Sequence, residues 1–321
     1  MSAVGLKAWF LLFRPWSYAA TLVPFFVAAG IAWAACPCAV TPRWGRWWIG
    51  LACGLFFQAT VNLLNTWGDE RSGVDAVPGA VRTTPQVHDG LVTMRELFAV
   101  AAACAVAAAV TGIGLCFFRD GGAWRFDAPL FVAGLVGFLG ATNYSTGVKF
   151  KYRGLGVPFV AFLMGPLEVF VAVELLRPAF ALPATVADWG MFALFTLPVA
   201  LLVCVIMHGN DMRDIPTDRA AGIMTPATML GPRGSLVLYW FCHLAPYTAC
   251  AALCVLGATF WLALPFLVLP LTVRTLRAAT AVFLAADGGN PPWRGLERAS
   301  GGIHLVFGAL YAVAIACAGG V

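Results

Sequence analysis

Apolar windows of about 20 residues recur nine times along the chain, near residues 16–35, 47–64, 97–118, 129–147, 155–176, 189–208, 234–256, 258–275 and 302–319. Each is long enough to cross a hydrocarbon core of roughly 30 Å as a helix, which satisfies its own backbone N–H and C=O groups. The pattern predicts an all-α polytopic membrane protein with about nine transmembrane helices. Composition agrees: 61% of the 321 residues are hydrophobic and 11% are charged, against about 25% charged in an ordinary soluble domain. Lys7, Arg14 and the stretch Ala32-Trp33-Ala34 imitate a signal peptide. The full length of the first span and the eight that follow predict a retained helix instead.

The basic residues divide unevenly between the two sides. Lys7, Arg14, Arg71, Arg82, Arg95, Lys149, Lys151, Arg153, Arg213, Arg219, Arg233, Arg274, Arg277, Arg294 and Arg298 fall with the N-terminus and the even-numbered loops. Arg43, Arg46, Arg119, Arg125 and Arg177 fall on the other side. Fifteen of the twenty cationic side chains on one side predict that this side is cytoplasmic and the membrane the inner one. The net charge of +5 is thus a topology signal and gives no reason to expect nucleic acid. Ten cysteines lie mostly inside spans, as small apolar fillers do; none has zinc-ligand spacing, and Cys36 and Cys38 flank a proline on the external side.

The acids follow another logic. Asn65-x-x-x-Asp69 closes the second span, and Asn210-x-x-x-Asp214 closes the sixth, 145 residues later and four spans on. This echo predicts one domain built of two similar four-helix halves, roughly 16–147 and 155–275, with a ninth helix added. Residues four apart share a helix face, so Asn65 points with Asp69 and Asn210 with Asp214. Asp211 and Asp218 extend the second cluster, and Pro216 is expected to bend or end that helix. Facing carboxylates repel unless a cation lies among them. An oxygen-only set of Asp and Asn fits Mg²⁺, which keeps several waters and is often shared with substrate phosphates.

Arg71, Arg82, Lys149, Lys151, Arg153, Arg213 and Arg219 lie on the same side and suit phosphate oxygens. Acids for Mg²⁺ and bases for phosphate, over an apolar interior, describe a site for a polyprenyl diphosphate in a central cavity open to the cytoplasmic side. The chemistry expected is ionisation: Mg²⁺ and cations stabilise the leaving diphosphate, an allylic carbocation develops, and an electron-rich acceptor attacks it. Phe56, Phe57, Tyr144, Phe159 and Phe162 are candidate π faces for that cation, and equally ordinary packing.

Three ordered segments carry a resemblance: "NLLNTWGDERSGVD" (62–75), "YSTGVKFKYRGLG" (144–156) with "GPL" (165–167), and "NDMRDIPTDRAAG" (210–222) with "TPATMLG" (225–231). They resemble the UbiA superfamily of intramembrane prenyltransferases, and within it the branch that prenylates 1,4-dihydroxy-2-naphthoate in menaquinone biosynthesis. The resemblance spans nearly the whole chain. It implies Mg²⁺-dependent prenyl transfer to an aromatic acceptor, with Asn65, Asp69, Asp75, Asp211, Asp214 and Asp218 as metal ligands. It implies diphosphate contacts by Arg71, Arg82, Lys151, Arg153 and Arg213, a catalytic set of Asp69, Asp214, Lys151 and Arg153, and further substrate contacts by Asn143 and Tyr144. The chain departs from the family's pattern at Thr66, where an Asp usually follows the first Asn, and at Val157, where the naphthoate branch commonly has an acid. It departs again at Gly222-Ile223-Met224-Thr225, which lacks the usual Lys, and at "HGN" (208–210), which replaces a run of Asn. These departures bear on the acceptor and the metal coordination more than on the type of chemistry.

Glu168 lies inside the fifth span, where a charged side chain costs about 2.5–3.5 kcal/mol on insertion scales; it is expected to line the acceptor cavity or to make a helix–helix contact. His208, one turn before Asp211, is expected to orient the acceptor, accept a proton, or make a plain hydrogen bond. Residues 81–97 are long enough to cap the mouth as a lid. Two other readings stay open: the same fold as a terpene cyclase, or as a prenyltransferase for haem or a lipid head. An ion-coupled transporter would need its acids near the bilayer midplane, whereas these cluster at one face.

Overall fold

The apolar windows fold as helices. The computed structural model describes residues 3–35, 43–72, 86–120, 122–145, 147–176, 185–257, 259–287, 289 and 291–319. Helix α1 (Ala3–Leu12) turns through a short 3-10 segment into α2 (Ala19–Ala35), followed by α3 (Trp44–Ser72) and α4 (Met94–Leu115). A hairpin of β1 (Phe117–Asp120) and β2 (Ala123–Phe126) leads to α5 (Ala128–Thr142). Then come α6 (Gly156–Phe162), α7 (Glu168–Leu176), α8 (Val186–Ala220), α9 (Pro226–Leu256), α10 (Leu269–Ala285) and α11 (Leu296–Ala318). Among the described residues, eight helical segments are long and apolar enough to cross a membrane, and α5 is a shorter apolar helix of 15 residues. The chain is a multi-pass α-helical membrane protein, as its apolar windows predict.

Local sequence sets the ends of these helices. Thr93, Thr185 and Thr225 each cap the helix that follows, accepting from the backbone three residues on, while Glu96, Asp188 and Thr228 reach back to the cap's own N–H. Three expectations are corrected. Pro216 does not end α8, which continues to Ala220; the proline sits in the last turns, where Thr217 Oγ1 closes onto the Asp214 carbonyl at 2.9 Å. The span expected over 258–275 runs on to Ala285, because Arg274 and Arg277 are exposed on α10 and do not break it. The fifth span is not one helix: a π-turn at Leu163–Leu167 separates α6 from α7.

That break follows from Gly165-Pro166. Pro166 has no N–H for the ladder, and Gly165 adopts φ −101°, ψ −105°. A Cβ on Gly165 would stand 2.6 Å from Ala200 Cβ, so α8 passes too close for any larger residue. The result is that Glu168 starts a new helix. Small residues also set the approach of α2 to α11: a Cβ on Gly308 would lie 2.3 Å from Val23 Cγ1, and one on Gly30 would lie 2.4 Å from the Ala312 carbonyl oxygen. Gly308→Ile is therefore expected to destabilise the bundle by about 1–3 kcal/mol through overpacking. A lower melting temperature in detergent, without a fall in metal affinity, checks this.

Candidate active site

The loop that joins α5 to α6 (residues 143–155) is bonded to the C-terminal end of α3 on one side and to the segment that follows α8 on the other. The loop is shaped locally. Asn143 Nδ2 donates to the Leu139 carbonyl at 2.9 Å, and its Oδ1 accepts from Val148 N at 3.1 Å. Gly147 has φ +53°, and a Cβ there would lie 2.3 Å from Asn143 Oδ1, so only glycine fits this bend. A short 3-10 turn, Phe150–Tyr152, then delivers two side chains to α3.

Lys151 Nζ donates to Asp69 Oδ1 at 2.7 Å, to Asp69 Oδ2 at 2.9 Å and to Asn65 Oδ1 at 3.0 Å. Tyr152 OH donates to Asp69 Oδ1 at 2.7 Å, and Ser145 Oγ donates to Asn65 Oδ1 at 2.8 Å. Burial acts to lower the pKa of Lys151, but Asp69, Tyr152 and Tyr144 outweigh it and hold it above the ordinary lysine value. The side chain is an ammonium at every working pH. Tyr144 is shifted upward, chiefly by burial and then by Asp211, and stays a neutral phenol.

From α8, Asp211 and Asp218 are buried and both feel the charge of Lys151; Asp218 also feels Asp69. Seven residues apart, they occupy one face two turns long. Lys151 thus binds the carboxylate of the first motif directly and lies within electrostatic reach of the two carboxylates of the second. Asp214 is engaged elsewhere: Arg213 grips it through Nε at 2.7 Å and Nη2 at 2.6 Å, and also reaches Glu297 on α11 at 3.7 Å. A strand-like bridge pins the two motif loops together, with Gly154 N donating to the Met224 carbonyl at 2.7 Å. Arg153 is exposed beside this bridge, and Arg71 is exposed over the Trp67 ring, 4.9 Å from its centre.

Behind this mouth lies a cavity of about 490 Å³. It follows α3 from Asn65 to Gly50, about 22 Å at 1.5 Å per residue. Arg14, Asn65, Tyr144 and Asn210 line the mouth, and Leu115, Leu130 and Leu175 the far end. Of the five candidate aromatics, Phe57 and Tyr144 line the cavity, whereas Phe56 and Phe162 are exposed and Phe159 packs on Phe150.

The structure therefore joins Asn65, Asp69 and Lys151 directly, with Asp211 and Asp218 within electrostatic reach and Tyr144 and Glu168 on the cavity wall. His208 does not join them. It lies two residues from the cavity-lining Asn210, about 200° around the helix, and its Nε2 sits 3.0 Å from the Ser235 carbonyl in the interface with α9. Asn143 is used inside its own loop. Asp75, Arg82, Cys36, Cys38 and the first residues of the 81–97 segment lie outside the described residues; the described cysteines are free thiols. Thr66 turns away from the acids, accepting from Arg14 Nη2 at 3.0 Å and donating to the Asn62 carbonyl at 3.2 Å. Val157, where the naphthoate branch commonly has an acid, is buried in the core.

Ser145 and Tyr152 were not singled out from sequence, although both lie in the "YSTGVKFKYRGLG" segment. Tyr152→Phe removes one donor to Asp69 while leaving Lys151 in place. Transfer rates are expected to fall about 3–10-fold, as for loss of a hydrogen bond to a charged group, with no change in folded yield.

Among the described residues, no three acidic, His or Cys side chains converge on one metal position as they stand. The donor chemistry nevertheless fits a hard cation: Asn65, Asp69, Asp211 and Asp218 all carry oxygen ligands, and a positive charge, the Lys151 ammonium, already binds the first two.

A charged mouth over an apolar cavity in a helical bundle defines a membrane-embedded binding site for an amphiphile. Residues 21–287 match the UbiA prenyltransferase family, and the chain belongs to that family of prenyltransferases. The UbiA prenyltransferase domain-containing protein 1 homolog of Drosophila melanogaster is 28% identical over 326 residues, covering 98% of this chain and 80% of its own. The Homo sapiens UbiA prenyltransferase domain-containing protein 1 is 30% identical over 270 residues, covering 81% of this chain and 72% of its own. The fold also matches a UbiA homolog from Archaeoglobus fulgidus bound to GPP and Mg²⁺, with a TM-score of 0.62, 16% identity and coverage of 97% and 99%. The chain is an enzyme of this class, and the transporter reading is set aside.

Proposed function

We propose that the protein transfers a polyprenyl group from its diphosphate to an aromatic acceptor, with Mg²⁺ held by Asn65, Asp69, Asp211 and Asp218. The observation that carries this is the Lys151 ammonium bound to Asn65 and Asp69 of the first motif, within electrostatic reach of Asp211 and Asp218 of the second, beside the cavity-lining Asn65. The Archaeoglobus fulgidus neighbour with GPP and Mg²⁺ supports the same donor–metal pairing. When bound, Mg²⁺ supplies charge neutralisation for the departing diphosphate.

The chain's own groups do the rest. Lys151 gives a fixed positive charge for phosphate oxygens, and Arg153, exposed in the same loop, adds a second, while Arg71 stays in the proposed set by sequence. Asp214 keeps Arg213 oriented through two parallel hydrogen bonds. Asp75 and Arg82 belong to the same proposed set by sequence. The prenyl tail lies in the cavity, whose apolar wall keeps water from an allylic cation. Tyr144 and Phe57 present aromatic rings to that space. We read α2–α5 and α6–α10 as repeated halves, since each motif ends the second long helix of its half. By its basic residues, the mouth faces the cytoplasm of the inner membrane.

The first acceptor to test is 1,4-dihydroxy-2-naphthoate, with a panel of other phenols and quinols beside it. Radiolabelled transfer is expected with Mg²⁺, to stop with chelator, and to return when Mg²⁺ is restored. Diphosphate release without acceptor product would favour the cyclase reading.

A further inference from the structure

The two walls of the cavity differ in chemistry. The side formed by α4 and α5 is apolar, lined by Ala108, Gly112, Leu130, Gly134 and Phe138. The side formed by α2, α3 and α7 carries a polar ledge. Gln58 Nε2 donates to Ser17 Oγ at 3.2 Å and to Asn62 Oδ1 at 3.3 Å, Asn62 Nδ2 donates to Ser17 Oγ at 2.9 Å, and Thr21 Oγ1 donates to Gln58 Oε1 at 3.4 Å. These groups largely satisfy one another. Glu168, at the deep end, is different: it is buried and hydrogen-bonded with Thr21, and among the described residues it has no ion-pair partner.

Its depth excludes a role at the diphosphate. A Cβ on Gly54 would lie 3.7 Å from Glu168 Oε1, and Gly54 is eleven residues below Asn65, about 16 Å along α3. A hydrocarbon tail has no use for a carboxyl group at that level, and polar groups are expensive there. The π-turn at Gly165-Pro166 nevertheless places this side chain on the cavity wall.

We propose that Glu168 is a specificity-determining residue for the acceptor, taking a hydrogen bond with a ring hydroxyl at the acceptor's deep end. This rests on the prenyltransferase reading above and deepens it. The ledge from Asn62 to Gly54 runs about 12 Å, the span of a fused two-ring hydroquinone with a hydrogen bond at each end. The tail then lies along the apolar α4–α5 wall, so each substrate has its own side of the cavity. Charge fixes the acceptor's direction. Arg14 at the mouth is the lining cation among the described residues, so a carboxylate on the acceptor faces Arg14 and the end that meets Glu168 is uncharged.

The test uses the full chain in lipid nanodiscs. Equilibrium binding of 1,4-dihydroxynaphthalene and of its 2-carboxylate is measured anaerobically, beside steady-state transfer kinetics, for wild type, Glu168→Gln, Glu168→Leu and Thr21→Val. Glu168→Leu is expected to raise acceptor Kd and KM at least tenfold for both probes, and Glu168→Gln and Thr21→Val about threefold, with KM for the prenyl diphosphate unmoved. A folded Glu168→Leu protein with unchanged acceptor Kd overturns the proposal, as does a parallel rise in prenyl diphosphate KM. If Glu168→Leu does not fold, the two isosteric variants decide by the same criterion. Should wild type make no product with any acceptor, the prenyl-transfer reading fails, while the binding measurements still judge Glu168.

Discussion

Asp69→Asn is expected to lower prenyl transfer by about 10³-fold, near 4 kcal/mol of transition-state stabilisation. Asp69 receives three hydrogen bonds, two from Lys151 and one from Tyr152. An asparagine keeps the shape but removes the charge, and it turns one acceptor into an N–H facing an ammonium. In the proposed mechanism that charge holds the metal opposite Asp211 and Asp218, so the loss falls on kcat as well as on Mg²⁺ affinity. Initial rates of radiolabelled transfer, taken over a Mg²⁺ titration, separate the two. A variant restored to wild-type rate by high Mg²⁺ would show that Asp69 only tunes affinity.

Lys151→Met makes a second large effect with a more distinctive signature. Activity is expected to fall about 10²-fold in kcat/KM for the prenyl diphosphate, through the loss of one phosphate-binding charge. Stability in the absence of metal is expected to fall as well, because Asp69 loses its cationic partner and keeps only Tyr152, while the compensating charge felt by Asp211 and Asp218 disappears. The pair is partly buried, with 19% and 12% of the two side chains exposed, so about 1–3 kcal/mol is a reasonable size after discounting for solvent. Joining the two changes, Asp69→Asn with Lys151→Met, is expected to recover part of that stability and none of the activity. Thermal melts with chelator and with Mg²⁺ read this directly: added metal should rescue the Lys151→Met protein more than wild type.

The sequence made much of this legible because membrane helices announce themselves by composition, and because charges at their ends are rare enough to stand out. Asn65 and Asp69 share one face of α3, as their four-residue spacing implies, and Lys151 binds both. What the spacing hid was direction. Asn210-x-x-x-Asp214 copies Asn65-x-x-x-Asp69, yet Asp214 pairs with its neighbour Arg213, and the α8 acids that feel the charge of Lys151 are Asp211 and Asp218. His208 looked close to the acids in sequence, and a 200° turn of helix puts it against Ser235. Ser145 and Tyr152 were overlooked because neutral hydroxyls in a loop give no charge signal, although the 3-10 turn aims one of them at Asp69. The π-turn that positions Glu168 was marked by Gly165-Pro166, but its consequence depends on how closely α8 approaches, and periodicity does not report that.

The two Asp motifs and Lys151 are proposed to form one Mg²⁺-dependent site that ionises a prenyl diphosphate. The most direct measurement is radiolabelled product formation in nanodiscs with Mg²⁺, with chelator, and in Asp211→Asn and Asp218→Asn variants. The account predicts product with Mg²⁺ alone, none with chelator, and losses of about 10²–10³-fold in each variant. Undiminished product in chelator, or wild-type rates in both α8 variants, would contradict it.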